Sequence, residues 1–173
     1  MYRIALTLAS LWILLLFLPP WLMAAGQFTS ALPGYQVFSV VCHQLPERSW
    51  HSFGFPLAVC SRCTAIYVGG LVGLLMYPLA VGVVGRQDYA GRSRRWLLLS
   101  LLPMLIDVML DWSGLVRNTF VTRTLTGLIV GVAAALHLYY LIVESVADWY
   151  PAGSQRSSPT GSPDRTGDKY YDQ

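Results

Sequence analysis

The sequence CSRCTAIYVGGLVGLLMYPLAVGVV occupies residues 60–84 and decides the fold. From residue 64 onward it carries no charged side chain, and it is long enough for a helix to cross the hydrocarbon core of a bilayer. Gly69 and Gly73 lie four residues apart, so they share one helical face on which another helix can approach closely in lipid. The stretch therefore predicts a membrane span with a glycine packing face, beginning directly after Cys63.

The composition supports the same class for the whole chain. Hydrophobic residues make up 54% of the 173 residues and charged residues only 12%, whereas charged residues make up about a quarter of a typical soluble domain. Other apolar runs occupy residues 4–23, 96–111 and 124–143, and the last of them carries a second glycine face, Gly127 and Gly131. We predict an all-α integral membrane protein with about four transmembrane helices.

The expected domain organisation is a four-helix membrane domain over residues 1–150 and a disordered polar tail over 151–173, rich in Ser, Gly, Pro and Asp. The first run has an alternative interpretation as a cleaved signal peptide, because a basic start and small residues at 24–26 resemble a cleavage site. The net charge of +3 comes without a basic groove or recognition motif. We therefore expect membrane lipids as partners and no nucleic acid.

Residues 86–95 contain four arginines and one aspartate between two apolar runs. Short Lys/Arg-rich loops remain in the cytoplasm, so this segment predicts a cytoplasmic loop. Both termini of this multi-pass protein of the cell membrane are then cytoplasmic as well. The same orientation makes residues 27–63 an extracytoplasmic segment.

That segment holds all three cysteines and two of the three histidines. Cys60 and Cys63 form a C-x-x-C pair, which is a chelating arrangement, and a mixed Cys and His ligand set favours zinc or a related transition metal. The predicted metal ligands are Cys42, His43, Cys60 and Cys63, with His51 as the alternative fourth ligand.

Two other interpretations of the cysteines stay open. Cys60 and Cys63 at a helix N-terminus beside Arg62 could form a redox pair, because the helix dipole and a cation lower the pKa of a thiol there. Four spans with an outer C-x-x-C also resemble the membrane oxidase DsbB, which passes electrons from thiols to a quinone, although only Cys42 remains where DsbB has a second pair. The third interpretation is a structural disulfide or inert buried thiols.

A second polar cluster follows from the topology. Asp107 and Asp111 lie four residues apart near the outer end of the third run, and an unpaired carboxylate as deep as Asp107 is costly in a bilayer. We therefore expect Asp107 to pair with Arg117 or Arg123. The predicted polar site on the outer face consists of Arg48, Arg62, Asp107, Asp111, Arg117 and Arg123.

These residues also carry a family resemblance. The patterns are Cys42-His43-Gln44-x-Pro46-x-Arg48-Ser49, Pro56-x-x-x-Cys60-x-Arg62-Cys63-Thr64-x-Ile66-Tyr67, then Asp107, Arg117, Arg123-x-x-Thr126-Gly127 and Gly131. The chain resembles small prokaryotic membrane proteins grouped as domain of unknown function 2085. The resemblance implies a multi-span membrane protein with a Cys/His motif and brings no established activity.

Three functions are therefore compatible with the sequence. The first is a metal site that supports action on a lipid or small membrane substrate. The second is a DsbB-like thiol oxidoreductase that uses Cys60, Cys63 and a quinone. The third is a non-catalytic membrane assembly partner, for which a protein partner or a second copy of the chain is expected.

Overall fold

The computed structural model describes residues 1–115 and 117–149, except for the side chains of residues 86, 87, 148 and 149. The described chain is helical, as predicted, with one two-stranded hairpin. The predicted disordered tail lies outside the described residues. In chain order the helices and strands are α1 (Tyr2–Ala24), α2 (Phe28–Ser39), β1 (His51–Ser52), β2 (Phe55–Pro56), α3 (Ser61–Val84), α4 (Arg86–Trp112) and α5 (Phe120–Trp149).

Three of these helices are long and apolar enough to cross a membrane, namely α1, α3 and the part of α5 up to Ala147. The fourth predicted span lies in α4, where the apolar stretch is flanked by arginines at one end and contains Asp107 and Asp111 at the other. The membrane class is thus supported by three helices, and the crossing by α4 stays a prediction.

The predicted loop over residues 86–95 is wrong, because these residues form the first turns of α4. Gly85 alone joins α3 to α4, with a φ of 80° that glycine adopts without steric cost. Tyr89 and Ser93, four residues apart, are buried, while Arg92 and Arg95 are exposed. The segment is therefore an amphipathic helix, and Arg92, Arg94 and Arg95 lie on its exposed face.

The two predicted glycine faces pack against each other. A Cβ atom added at Gly73 would lie 2.7 Å from the carbonyl oxygen of Val132, and one added at Gly127 would lie 2.6 Å from that of Arg62. Gly131 opposes Ile66, so the register advances in the same direction along both helices. Hence α3 and α5 run parallel with their backbones almost in contact, as small residues allow in lipid.

On the other side of α3, α1 runs in the opposite direction. The Tyr2 hydroxyl donates to the carbonyl of Leu74 at 3.0 Å, and the Trp12 ring lies 5.8 Å from that of Tyr67. The short helix α2 folds back along α1 and places the Phe38 ring 5.4 Å from the Trp12 ring. This hairpin delivers the chain that follows α2 to the N-terminus of α3.

Candidate metal centre

Three thiols meet at the N-terminus of α3. Cys60 is the N-cap residue of α3, Cys63 lies in its first turn, and Cys42 comes from the segment after α2. The three sulphur atoms lie within 4.8 Å of one another. Zinc binds thiolates at about 2.3 Å, so the three sulphurs are close to the separation that one shared ion requires.

The backbone holds Cys42 and Cys60 in this arrangement. The Cys60 amide donates to the Cys42 sulphur at 3.2 Å. The Gln44 side-chain amide donates to the carbonyls of Tyr35 and Ala58, both at 2.7 Å, and so ties the end of α2 to the segment that leads into α3. The sequence alone gives no role to Gln44, because its place in the Cys-His-Gln motif is the only signal there.

The Cys60 thiol has a lower pKa than an ordinary cysteine. A hydrogen bond from the Cys63 side chain, aided by backbone donors and by Cys42, lowers the pKa of Cys60 to about 5 against the opposing effect of burial. The lowered pKa favours the thiolate of Cys60, which is the form of cysteine that binds metals and attacks disulfides. Its charge stands beside an apolar cluster that includes Leu16, Phe38 and Val59. In such surroundings a cation would stabilise the charge.

The fourth predicted ligand, His43, is exposed and is not part of the three-sulphur cluster. Cys42 is buried among the apolar residues, so the next residue along the chain points outward. The alternative ligand His51 is also exposed, on strand β1. Within the described residues the structure thus brings together three of the predicted ligands, and a tetrahedral ion bound there would need a fourth ligand from elsewhere.

Asp107 pairs with a different arginine from the two predicted. It forms an ion pair with Arg62 and accepts a hydrogen bond from the Asn118 side chain at 2.9 Å. The side chains of Arg62 and Asp107 are only 20% and 10% exposed, so this pair is largely withdrawn from solvent. The expected partnership with Arg117 or Arg123 is therefore wrong, because the first turn of α3 brings Arg62 to the carboxylate.

Two other arginines of the predicted polar site lie close to Asp111. Arg123 approaches its carboxylate at 3.5 Å and Arg48 at 3.7 Å. Arg117 is exposed, and none of the ion pairs within the described ranges includes it. Since Arg62 lies between Cys60 and Cys63 in sequence, its pair with Asp107 links α4 directly to the segment that carries the C-x-x-C thiols.

We expect Arg62→Gln or Asp107→Asn alone to destabilise the protein by about 3 kcal/mol, because each leaves one poorly solvated charge without its partner. The double variant should be less destabilised than the sum of the two. Thermal unfolding of the four proteins in one detergent measures this coupling. Arg48→Gln with Asp111→Asn is the matched control, and its coupling should be small because Arg48 is 46% exposed. Additive losses for Arg62 and Asp107 would show that the pair is not formed.

The fold and the site together define a helical membrane protein with a thiol cluster beside a buried ion pair. The family described as "Predicted membrane protein (DUF2085)" matches residues 42–137, which is more than half of the chain. The chain therefore belongs to this family. The match begins at Cys42 and includes all three cysteines and both aspartates of the polar cluster.

Two relatives from archaea extend the comparison. An uncharacterised protein of Methanocaldococcus jannaschii is 31% identical over 150 residues, which cover 84% of this chain and 94% of the relative. An uncharacterised protein of Methanothermobacter thermautotrophicus is 33% identical over 99 residues, which cover 57% of this chain and 85% of that protein. No solved structure matches this chain.

Proposed function

We propose that this protein binds zinc or a related transition metal through Cys42, Cys60 and Cys63. The observation that carries the proposal is the meeting of three sulphur atoms within 4.8 Å, although Cys42 is supplied by a different part of the chain from the C-x-x-C pair. Soft thiolate ligands select zinc and similar metals over magnesium or calcium. The amide that donates to the Cys42 sulphur is also favourable for a bound thiolate.

In this proposal the residues of the site have separate roles. The three cysteines hold the ion, and Gln44 keeps the two segments that carry them together. Arg62 and Asp107 fix the first turn of α3 against α4. A bound metal would supply Lewis-acid character to the site, and we propose that the site takes a polar group of a lipid or small membrane substrate.

The proposed location is the outer face of the cell membrane, with both termini in the cytoplasm. The arginine-rich start of α4 supports this orientation, because it stands at the opposite end of that helix from Asp107. Segments rich in Lys and Arg near a span remain inside. The thiol cluster, at the Asp107 end, would then face outward.

A thiol oxidoreductase is the second candidate, favoured by the low pKa of Cys60. In that function Cys60 and Cys63 would be oxidised to a disulfide, and two electrons and two protons would pass to a quinone. Cys42 would remain as the third thiol beside the pair. The odd number of cysteines allows at most one such disulfide within the chain.

Protein purified without chelator should contain about one metal ion per chain and three cysteines that thiol reagents reach only after chelation. Elemental analysis and thiol counting measure the two quantities.

In intact cells, a membrane-impermeant maleimide should label the protein once an impermeant chelator is added, because the proposed orientation places the cluster outside. Metal-free protein with Cys60 and Cys63 joined in a disulfide would support the redox candidate instead, and labelling only after permeabilisation would reverse the orientation.

A further inference from the structure

A groove begins on the surface of α4, at the end of the helix that is remote from the thiols, and continues between α4 and α5. Its first part is polar and is lined by Asp88, Gly91, Arg92 and Arg95. Within the described residues, none of the ion pairs includes Arg92 or Arg95. Two exposed guanidinium groups therefore face this part of the groove against a single carboxylate, which leaves it with an excess of positive charge.

The groove continues into apolar surroundings. Arg92 also lines an adjoining pocket of about 220 Å³, together with Ala80, Tyr89 and Trp96. Trp96, Ala133 and Leu136 are shared with a third cavity of about 430 Å³, which extends along the two helices to Pro103 and Leu128. The three cavities thus form one path that is cationic at its beginning and apolar along the rest of its length.

The dimensions of the path match one leaflet of a bilayer. Arg92 and Pro103 are separated by about 16 Å along α4, which is about half the thickness of the hydrocarbon core. Trp96, which is 63% exposed, stands where the polar part meets the apolar part, and tryptophan is enriched at that depth in membranes. Ser93, which also lines the pocket of about 220 Å³, is hydrogen-bonded to His137 of α5 at 3.0 Å.

We propose that this groove binds an anionic phospholipid. Its phosphate lies against Arg92 and Arg95, and one acyl chain lies between α4 and α5 from Trp96 to Pro103. Basic pockets between transmembrane helices recognise anionic headgroups in this way. This inference is independent of the metal site, which lies at the other end of α4, so either proposal can fail without the other.

The test is native mass spectrometry of the detergent-purified full chain with phosphatidylglycerol and phosphatidylcholine of identical acyl chains. The wild type should retain one phosphatidylglycerol in preference to phosphatidylcholine. Replacing both Arg92 and Arg95 by Gln should weaken that preference about thirty-fold, since each cation near the membrane surface strengthens the binding of an anionic lipid about five-fold and the two factors multiply. Arg94→Gln, which removes the same charge from an exposed position outside the groove, should leave the preference unchanged.

Two further arms separate a lipid from its headgroup. Ala133→Phe places a ring in the apolar path without changing any charge, and it should release the bound phospholipid. Soluble glycerol 3-phosphate should fail to displace the lipid, because the acyl chain supplies part of the binding. The proposal is overturned if Arg94→Gln weakens binding as much as the double variant, if Ala133→Phe has no effect, or if glycerol 3-phosphate displaces the lipid completely.

Discussion

Replacing Cys42, Cys60 or Cys63 by serine, one at a time, should abolish metal binding and lower the unfolding temperature by similar amounts. A metal site assembled by folding contributes its binding free energy to folding, on the order of 10 kcal/mol for structural zinc. In the proposed site the three cysteines would bind one ion, so removing any one of them would disable the same site. Metal content and thermal unfolding, each measured with and without chelator, give the two results.

The controls for this prediction come from the site itself. Chelator should lower the stability of the wild type to that of the serine variants and should leave the variants unchanged. His43→Ala should retain the metal, because His43 is exposed and lies outside the sulphur cluster. If Cys42→Ser behaves like the wild type while Cys60→Ser and Cys63→Ser are impaired, the cysteines act as a pair and the metal proposal fails.

The membrane class was predictable because it depends on local composition. Apolar runs identify α1, α3 and α5 without knowledge of their neighbours, and the spacing of Gly69 and Gly73 reveals a packing face. The same local signals could not distinguish a loop from a helix at residues 86–95. Clustered arginines indicate a side of the membrane and carry no information about secondary structure, while the turn itself needs only Gly85.

The pairing of Asp107 depends on the rotation of α3 about its axis, which no local pattern determines. The sequence places four arginines of the predicted polar site on the same side as this carboxylate, and only the packing of α3 selects Arg62. His43 illustrates a related limit. Its chemistry suits a zinc ligand, but adjacent residues point in different directions, and burial of Cys42 turns His43 outward.

The position of the thiol cluster depends on how α3 packs against α4 and α5. Gly127 of α5 lies against the backbone carbonyl of Arg62, one residue before Cys63, and the Arg62 side chain reaches α4. The first turn of α3 is thus fixed by two neighbouring helices at once. Any change that separates α3 from α5 should disturb the sulphur atoms as well as the bundle.

A large effect on the bundle is expected from Gly69→Ala, compared with Gly70→Ala. A Cβ atom at Gly69 would collide with the backbone carbonyl of Leu128, whereas one at Gly70 would meet nothing within 4 Å. Alanine favours a helix over glycine by up to about 1 kcal/mol, so Gly70→Ala should be neutral or stabilising. Overpacking costs about 1–3 kcal/mol or more, and Gly69→Ala should reach the upper end because backbone atoms cannot rotate away.

The two variants carry the same substitution at adjacent positions of α3. A difference in their stability therefore reports on helix packing. Thermal unfolding in detergent should place Gly69→Ala well below Gly70→Ala. Gly127→Ala, which meets the Arg62 carbonyl, should also lose metal, because it displaces the turn that carries Cys63. Equal stability of the two alanine variants would mean that α3 and α5 are not in close contact, and the position assigned to the first turn of α3 would lose its physical basis.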